Sequence, residues 1–163
     1  MLAGARMSPQ SSILVLGLGN DYRCDDAVGL EVARRIRNLG LVSTIVSEES
    51  GEGANLMEAW KSAGTVIIID AVSSGSKPGT IHRFVADSQM IPSNFFHYSS
   101  HSFGLAEAIE LARSLHQLPP HLVVYGIEGG KFEAGIGLSF EVERAAEEVV
   151  DRIRQEDCFP PVK

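Results

Sequence analysis

Two adjacent carboxylates, Asp25 and Asp26, close the stretch GLGNDYRCDD, just after a Gly-x-Gly pair at Gly17 and Gly19. The glycines begin like a dinucleotide-binding fingerprint, but the position expected for the third glycine holds Tyr22. Negative charge repels a phosphate and attracts a divalent cation. Other groups of the same kind are Glu48, Glu49, Asp70 and Glu128, with His97 and His101 in a histidine-bearing segment. Carboxylate oxygen and imidazole nitrogen together suit zinc, nickel or another first-row ion that keeps open positions for a substrate. From position alone, the minimal set is one carboxylate of the first loop, Asp70 and one histidine of the 97–101 segment.

Each of these residues also admits a quieter role. Asp70 could cap a loop or helix, and Asp25 and Asp26 could favour the positive end of a helix dipole. His101 could be a surface residue entering a helix, and His82, His116 and His121 are expected to face solvent. Gly17 and Gly19 suit a tight turn and close helix packing after a strand. Cys24 reads as structural, because neighbouring carboxylates raise a thiol's pKa. A nucleotide site would also need an acid after the second strand, and Glu48 or Glu49 stands roughly 30 residues from Gly19 where about 20 is expected.

The elements that must position these groups are legible from hydrophobic spacing. SILVLG (12–17) reads as a strand, and Val28, Val32, Ile36 and Leu39 recur at helical spacing from about Asp26. LVSTIVS (41–47) reads as a strand and GEGANLMEAWKSA (51–63) as a loop entering a helix. TVIIIDAV (65–72) has the continuous β-branched character of a strand covered on both faces, as in a parallel sheet. TIHRFVA (80–86) alternates like an edge strand and follows a short link, which predicts antiparallel pairing. Residues 104–117 are helical up to Pro119 and Pro120, HLVVYGIEG (121–129) is a strand, and 139–155 is a closing helix with Ser139 placed to cap it. The alternation predicts an α/β fold, a three-layer α/β/α sandwich with a twisted, mostly parallel five-stranded sheet. Ligands of such sheets bind beyond the carboxyl ends of the strands, where the polar residues above fall.

A length of 163 residues suits one domain, expected over 12–157 between a flexible N-terminal segment, 1–11, and a C-terminal tail, 158–163. Hydrophobic residues at 44 % and charged residues at 21 % fit a folded globular chain and not a disordered one. The net charge of -7 argues against nucleic acid and anionic membranes as partners. The opening MLAGARMSPQSS carries no apolar stretch of signal-peptide length, and no apolar run approaches the roughly 20 residues of a membrane helix. No membrane insertion is expected. Two cysteines without motif spacing fit a cytoplasmic protein.

Four stretches, ILVLGLGNDYRCDDAVGLEVARRI, VIIIDAVSSGSKPGTI, SSHSFGLAEAIELA and VVYGIEGGKFEAGIGLS, occur in the order found in the nickel-iron hydrogenase maturation proteases, which the chain resembles over roughly residues 13–155. The resemblance implies a twisted parallel sheet between helices and a metal site on Asp26, Asp70 and His101. It implies an endopeptidase that removes a short C-terminal peptide from the nickel-loaded large-subunit precursor of a hydrogenase. The nickel would be carried by the substrate and no nucleotide would be needed. EESGEG replaces the family's Asp-Gly-Gly-Thr-like stretch, so Glu49 would stand in for an aspartate and is a candidate to position water. Two alternatives stay open at this point: a nucleotide-dependent oxidoreductase using the Gly17–Gly19 turn, and a non-catalytic nickel-dependent binding module.

Overall fold

Within VIII, alternate side chains point to opposite faces, and each face finds its own helical layer. In the computed structural model, which describes residues 12–92, 95 and 103–159, this segment belongs to the central strand of a five-stranded sheet. The strands are β1 (Ile13–Leu18), β2 (Thr44–Glu49), β3 (Thr65–Val72), β4 (Ile81–Val85) and β5 (His121–Glu128). The helices are α1 (Val28–Leu39), α2 (Gly53–Trp60), α3 (Leu105–Ser114) and α4 (Phe140–Arg154), and a 3-10 turn, Cys24–Ala27, leads into α1.

Sheet order is β2-β1-β3-β5-β4. β2, β1, β3 and β5 pair in parallel, and β4 runs antiparallel to β5 at the edge, as the short link before it predicts. Ile67 and Ile69 pack with Val28, Val32 and Ile36 of α1 and with Val142, Ala146, Val149 and Ile153 of α4. Val66 and Ile68 pack on the other face with Leu56 and Trp60 of α2 and with Leu105, Ile109 and Ala112 of α3. This is the expected three-layer sandwich. At about 1.5–3 kcal/mol for each large apolar side chain buried, these two cores hold the layers together.

Several local expectations shift. Leu39, placed in the buried stripe by its spacing, is 42 % exposed at the last residue of α1. α3 stops at Ser114, short of 117, because His116 adopts φ 56. The amides of Gln117 and His116 bond back to Ala112 and Arg113, an arrangement that satisfies the last carbonyls of a helix. Phe159 is buried in the α1/α4 core, so the packed chain runs past the boundary expected at 157.

The connections fix where a site can form. The chain leaves β1 through α1 to reach β2 on one side, then crosses through α2 on the opposite face to reach β3 on the other side of β1. The winding reverses between β1 and β3, and such a reversal opens a crevice beyond the carboxyl ends of those two strands.

Candidate functional site

The ladder between β1 and β3 ends at Gly17 and Ile69, while β3 continues through Asp70, Ala71 and Val72, paired there with β5. Asp70 is therefore the first residue of β3 beyond the reach of β1. By alternation with Ile69, which joins the α1/α4 core, it faces the α2/α3 side. The turn Cys24–Ala27 brings Asp26 to the same gap, close enough that its charge opposes the ionisation of Asp70.

Glycines let α1 come this close. A Cβ on Gly29 would lie 2.3 Å from the carbonyl oxygens of both Ile69 and Leu18, so the first turn of α1 rests directly on the backbones of β1 and β3. Gly19, at φ 148, folds the chain back so that a Cβ there would meet the Asp26 carbonyl oxygen at 2.0 Å. The glycine turn thus shapes the loop around Asp26.

Electrostatics make the gap unusual. Burial pushes the Asp26 carboxyl up, opposed by the charge of Arg23 and by the Asn20 amide. Asp70 is pushed well above the ordinary carboxylate range, first by burial and then by Asp26, with the Ala71 amide opposing. Part of Asp70 remains open to solvent, so the carboxyl is deep-set yet reachable. Two carboxyls that resist joint ionisation bind a divalent cation in preference to standing charged alone, and their oxygens suit first-row ions.

Asp25, the other half of the acidic pair, behaves differently. It is fully buried, and its carboxylate accepts hydrogen bonds from the amides of Gly130 and Lys131 at 2.9 Å and of Ser139 at 2.8 Å. The Ser139 hydroxyl also donates to it, 2.9 Å from Oδ2. Ser139 stands at the N-cap of α4 as predicted, but its side chain makes no capping bond there. The hydroxyl serves Asp25 instead.

Glu49 ends β2, paired with Leu18, and its carbonyl accepts from the Gly19 amide at 3.2 Å. Its neighbour Glu48 reaches back to Arg34 and Arg37 of α1 at 2.8 and 2.9 Å, so Glu49 faces the opposite, Asp70 side of the sheet. β1 lies between them, which sets Glu49 about 10 Å from β3. It lines the same crevice without joining the Asp26–Asp70 pair. His97 and His101 lie outside the described residues. The segment that carries them leaves Phe95, packed edge-on against His82 with ring centroids 4.5 Å apart, and returns at Phe103, whose carbonyl accepts from the Gly53 amide at 2.8 Å. Among the described residues no group of three metal-ligating side chains comes together.

Two corrections concern the remaining polar residues. Glu128, at the end of β5, is buried and accepts from the Ser74 amide and hydroxyl at 2.7 Å and from the Gly75 amide at 3.1 Å, so it braces the loop after β3. His82 does not face solvent. Its Nε2 is buried 3.4 Å from Glu128 Oε2, out of line for a hydrogen bond. His116 and His121 are exposed, as expected. Arg23, whose charge acts on Asp26, was not singled out from the sequence, where its nearness in the chain was the signal; the service of Ser139 to Asp25 had no local signal at all.

Comparison with known proteins adds a lineage. A family model described as hydrogenase maturation protease matches residues 49–156. The chain is 28 % identical over 145 residues to the hydrogenase 2 maturation protease of Escherichia coli strain K12, covering 86 % of this chain and 87 % of that protein. It is 29 % identical over 124 residues to the hydrogenase expression/formation protein HupD of Thiocapsa roseopersicina, covering 75 % of this chain and 56 % of HupD, so the match spans little more than half the length of that relative. The fold superposes on the nickel-iron hydrogenase maturation protease HybD of Thermococcus kodakarensis with a TM-score of 0.69 at 23 % identity, over 88 % of this chain and 97 % of that one.

Proposed function

Since the chain belongs to the hydrogenase maturation protease family, a family of endopeptidases, we propose that it removes a short C-terminal peptide from the nickel-loaded large-subunit precursor of a nickel-iron hydrogenase. The observation that carries this reading is the Asp26–Asp70 pair at the crevice between β1 and β3. Asp26, Asp70 and His101 would hold the nickel that arrives with the substrate. A divalent cation relieves the repulsion between the two carboxyls and displaces the protons that burial favours. A precursor lacking nickel brings no such gain, so the pair selects the loaded substrate. Binding through the substrate's own metal also places the C-terminal extension beside the crevice, which lowers the entropic cost of bringing the scissile bond to the attacking water.

Glu49 is assigned to water. It lies on the same face of the sheet as Asp70, on the strand beyond β1. The setting is proposed to be the cytoplasm, in keeping with two free cysteines, Cys24 and Cys158, and with no helix among the described residues long and apolar enough to cross a membrane. The nucleotide oxidoreductase finds no support in the comparisons, and the space above Gly17 that a cofactor would approach is filled by Gly29 and Ala33 of α1.

The test is intact mass spectrometry of a nickel-loaded large-subunit precursor incubated with the protein and with Asp70→Ala. Nickel-dependent loss of a C-terminal peptide with the wild type alone is the expected outcome. A binding module would retain the precursor without shortening it, and that result would sink the protease assignment.

A further inference from the structure

Asp25 is buried, multiply hydrogen-bonded and adjacent in sequence to Asp26, yet it takes no part in the carboxyl pair. We propose that Asp25, held by Ser139 and the 130–131 amides, is the positioning residue that sets the Asp26 carboxylate against Asp70. The inference rests on the proposed role of that pair.

In a 3-10 turn, successive side chains diverge by about 120°. When Asp25 points into the loop between β5 and α4, Asp26 is turned away from that loop toward β3. The loop is itself tied to the strand that carries Asp70, because the Gly129 amide donates to the Val72 carbonyl at 3.0 Å. Asp25 and Asp70 thus share one frame: Asp25 to residues 130, 131 and 139, Gly129 to Val72, and Val72 along β3 to Asp70. Backbone bonds from Asp25 to Lys131 at 2.9 Å, from Cys24 to Gly135 at 3.1 Å and from Gly135 to Tyr22 at 2.9 Å hold the same two loops in register. Four donors, three backbone amides and the Ser139 hydroxyl shared between both oxygens, converge on this one carboxylate and fix its direction. Partners that orient a ligand in this indirect way typically govern affinity or rate by tenfold or more.

Ser139→Ala removes the hydroxyl donor and leaves three backbone amides on Asp25, and Ser139→Thr restores the hydroxyl. Two quantities are read on the folded fraction: the single-turnover rate of peptide loss from the nickel-loaded precursor, and the affinity of the protein alone for nickel ion by calorimetry. A merely structural role would lower the folded fraction and move neither. Positioning predicts a rate reduced about tenfold at saturating enzyme, a nickel affinity weakened about tenfold, and recovery of both in Ser139→Thr. An unchanged affinity or an unchanged rate in folded Ser139→Ala overturns the proposal. Should the wild type fail to process the precursor, the protease reading falls and the nickel affinity alone decides the positioning. If Ser139→Ala does not fold, Ser139→Cys, a weaker donor, is measured in the same way with the same criteria.

Discussion

The Asp26 carboxylate makes Asp70 harder to ionise, although the two residues are separated by α1, β2 and α2 in the chain. Carboxyls raised by desolvation and by a like charge cluster at functional sites.

Raising the Asp70 carboxyl costs stability as pH rises. Asp70 in the folded protein holds its proton at a pH where the unfolded chain, at about 3.8, has released it. The folded state therefore binds more protons, and stability falls as pH rises from 3.8 through the folded value. Asp70→Asn should flatten this fall and be more stable than wild type at pH 7 in urea unfolding, while losing the ability to process precursor. A variant less stable than wild type at pH 7 would contradict the burial assigned to this carboxyl.

Neighbouring acids should respond in opposite ways. Asp25→Asn turns an amide group toward donors from Gly130, Lys131 and Ser139, leaving buried N–H groups unpaired, a loss of about 3 kcal/mol. Asp26→Asn relieves repulsion and should unfold at the same or a higher urea concentration. Equal destabilisation of the two would mean that the division of labour between them is misassigned.

Gly29→Ala places a methyl group 2.3 Å from two backbone oxygens, which no rotamer change can relieve. Separation of α1 from the sheet should cost about 3 kcal/mol or more. Because α1 begins at Asp26's turn, the folded remnant should also process more slowly, measurable by pairing thermal unfolding with the mass assay.

Arg34 makes the opposite case. It donates to Asp21 at 2.9 and 2.7 Å and to Glu48 at 2.8 Å, but all three side chains are partly exposed. Arg34→Ala should cost about 1 kcal/mol or less, the difference from wild type should shrink in high salt, and processing should persist. A loss of processing out of proportion to stability would show that Asp21 and its loop need this brace.

Much of the fold was legible because hydrophobic periodicity is a local property. TVIIIDAV is β3 to the residue, since a strand buried on both faces leaves a continuous apolar run. Leu39 and the end of α3 were misplaced for a local reason as well: helix ends are decided by backbone conformations such as that of His116, which the apolar stripe does not record.

The sequence by itself determined the layers, the antiparallel edge strand and the identity of the acids at the strand ends, each of which follows from spacing along the chain. Only the tertiary structure gave the two acids of the pair different surroundings. Asp25 and Asp26 are chemically identical, and they differ in the partners that arrive from residues more than a hundred positions away, Ser139 for one. Glu128 and His82 were likewise beyond reach of the sequence, because a carboxylate that braces a loop and one that meets a ligand differ only in what the fold sets in front of them.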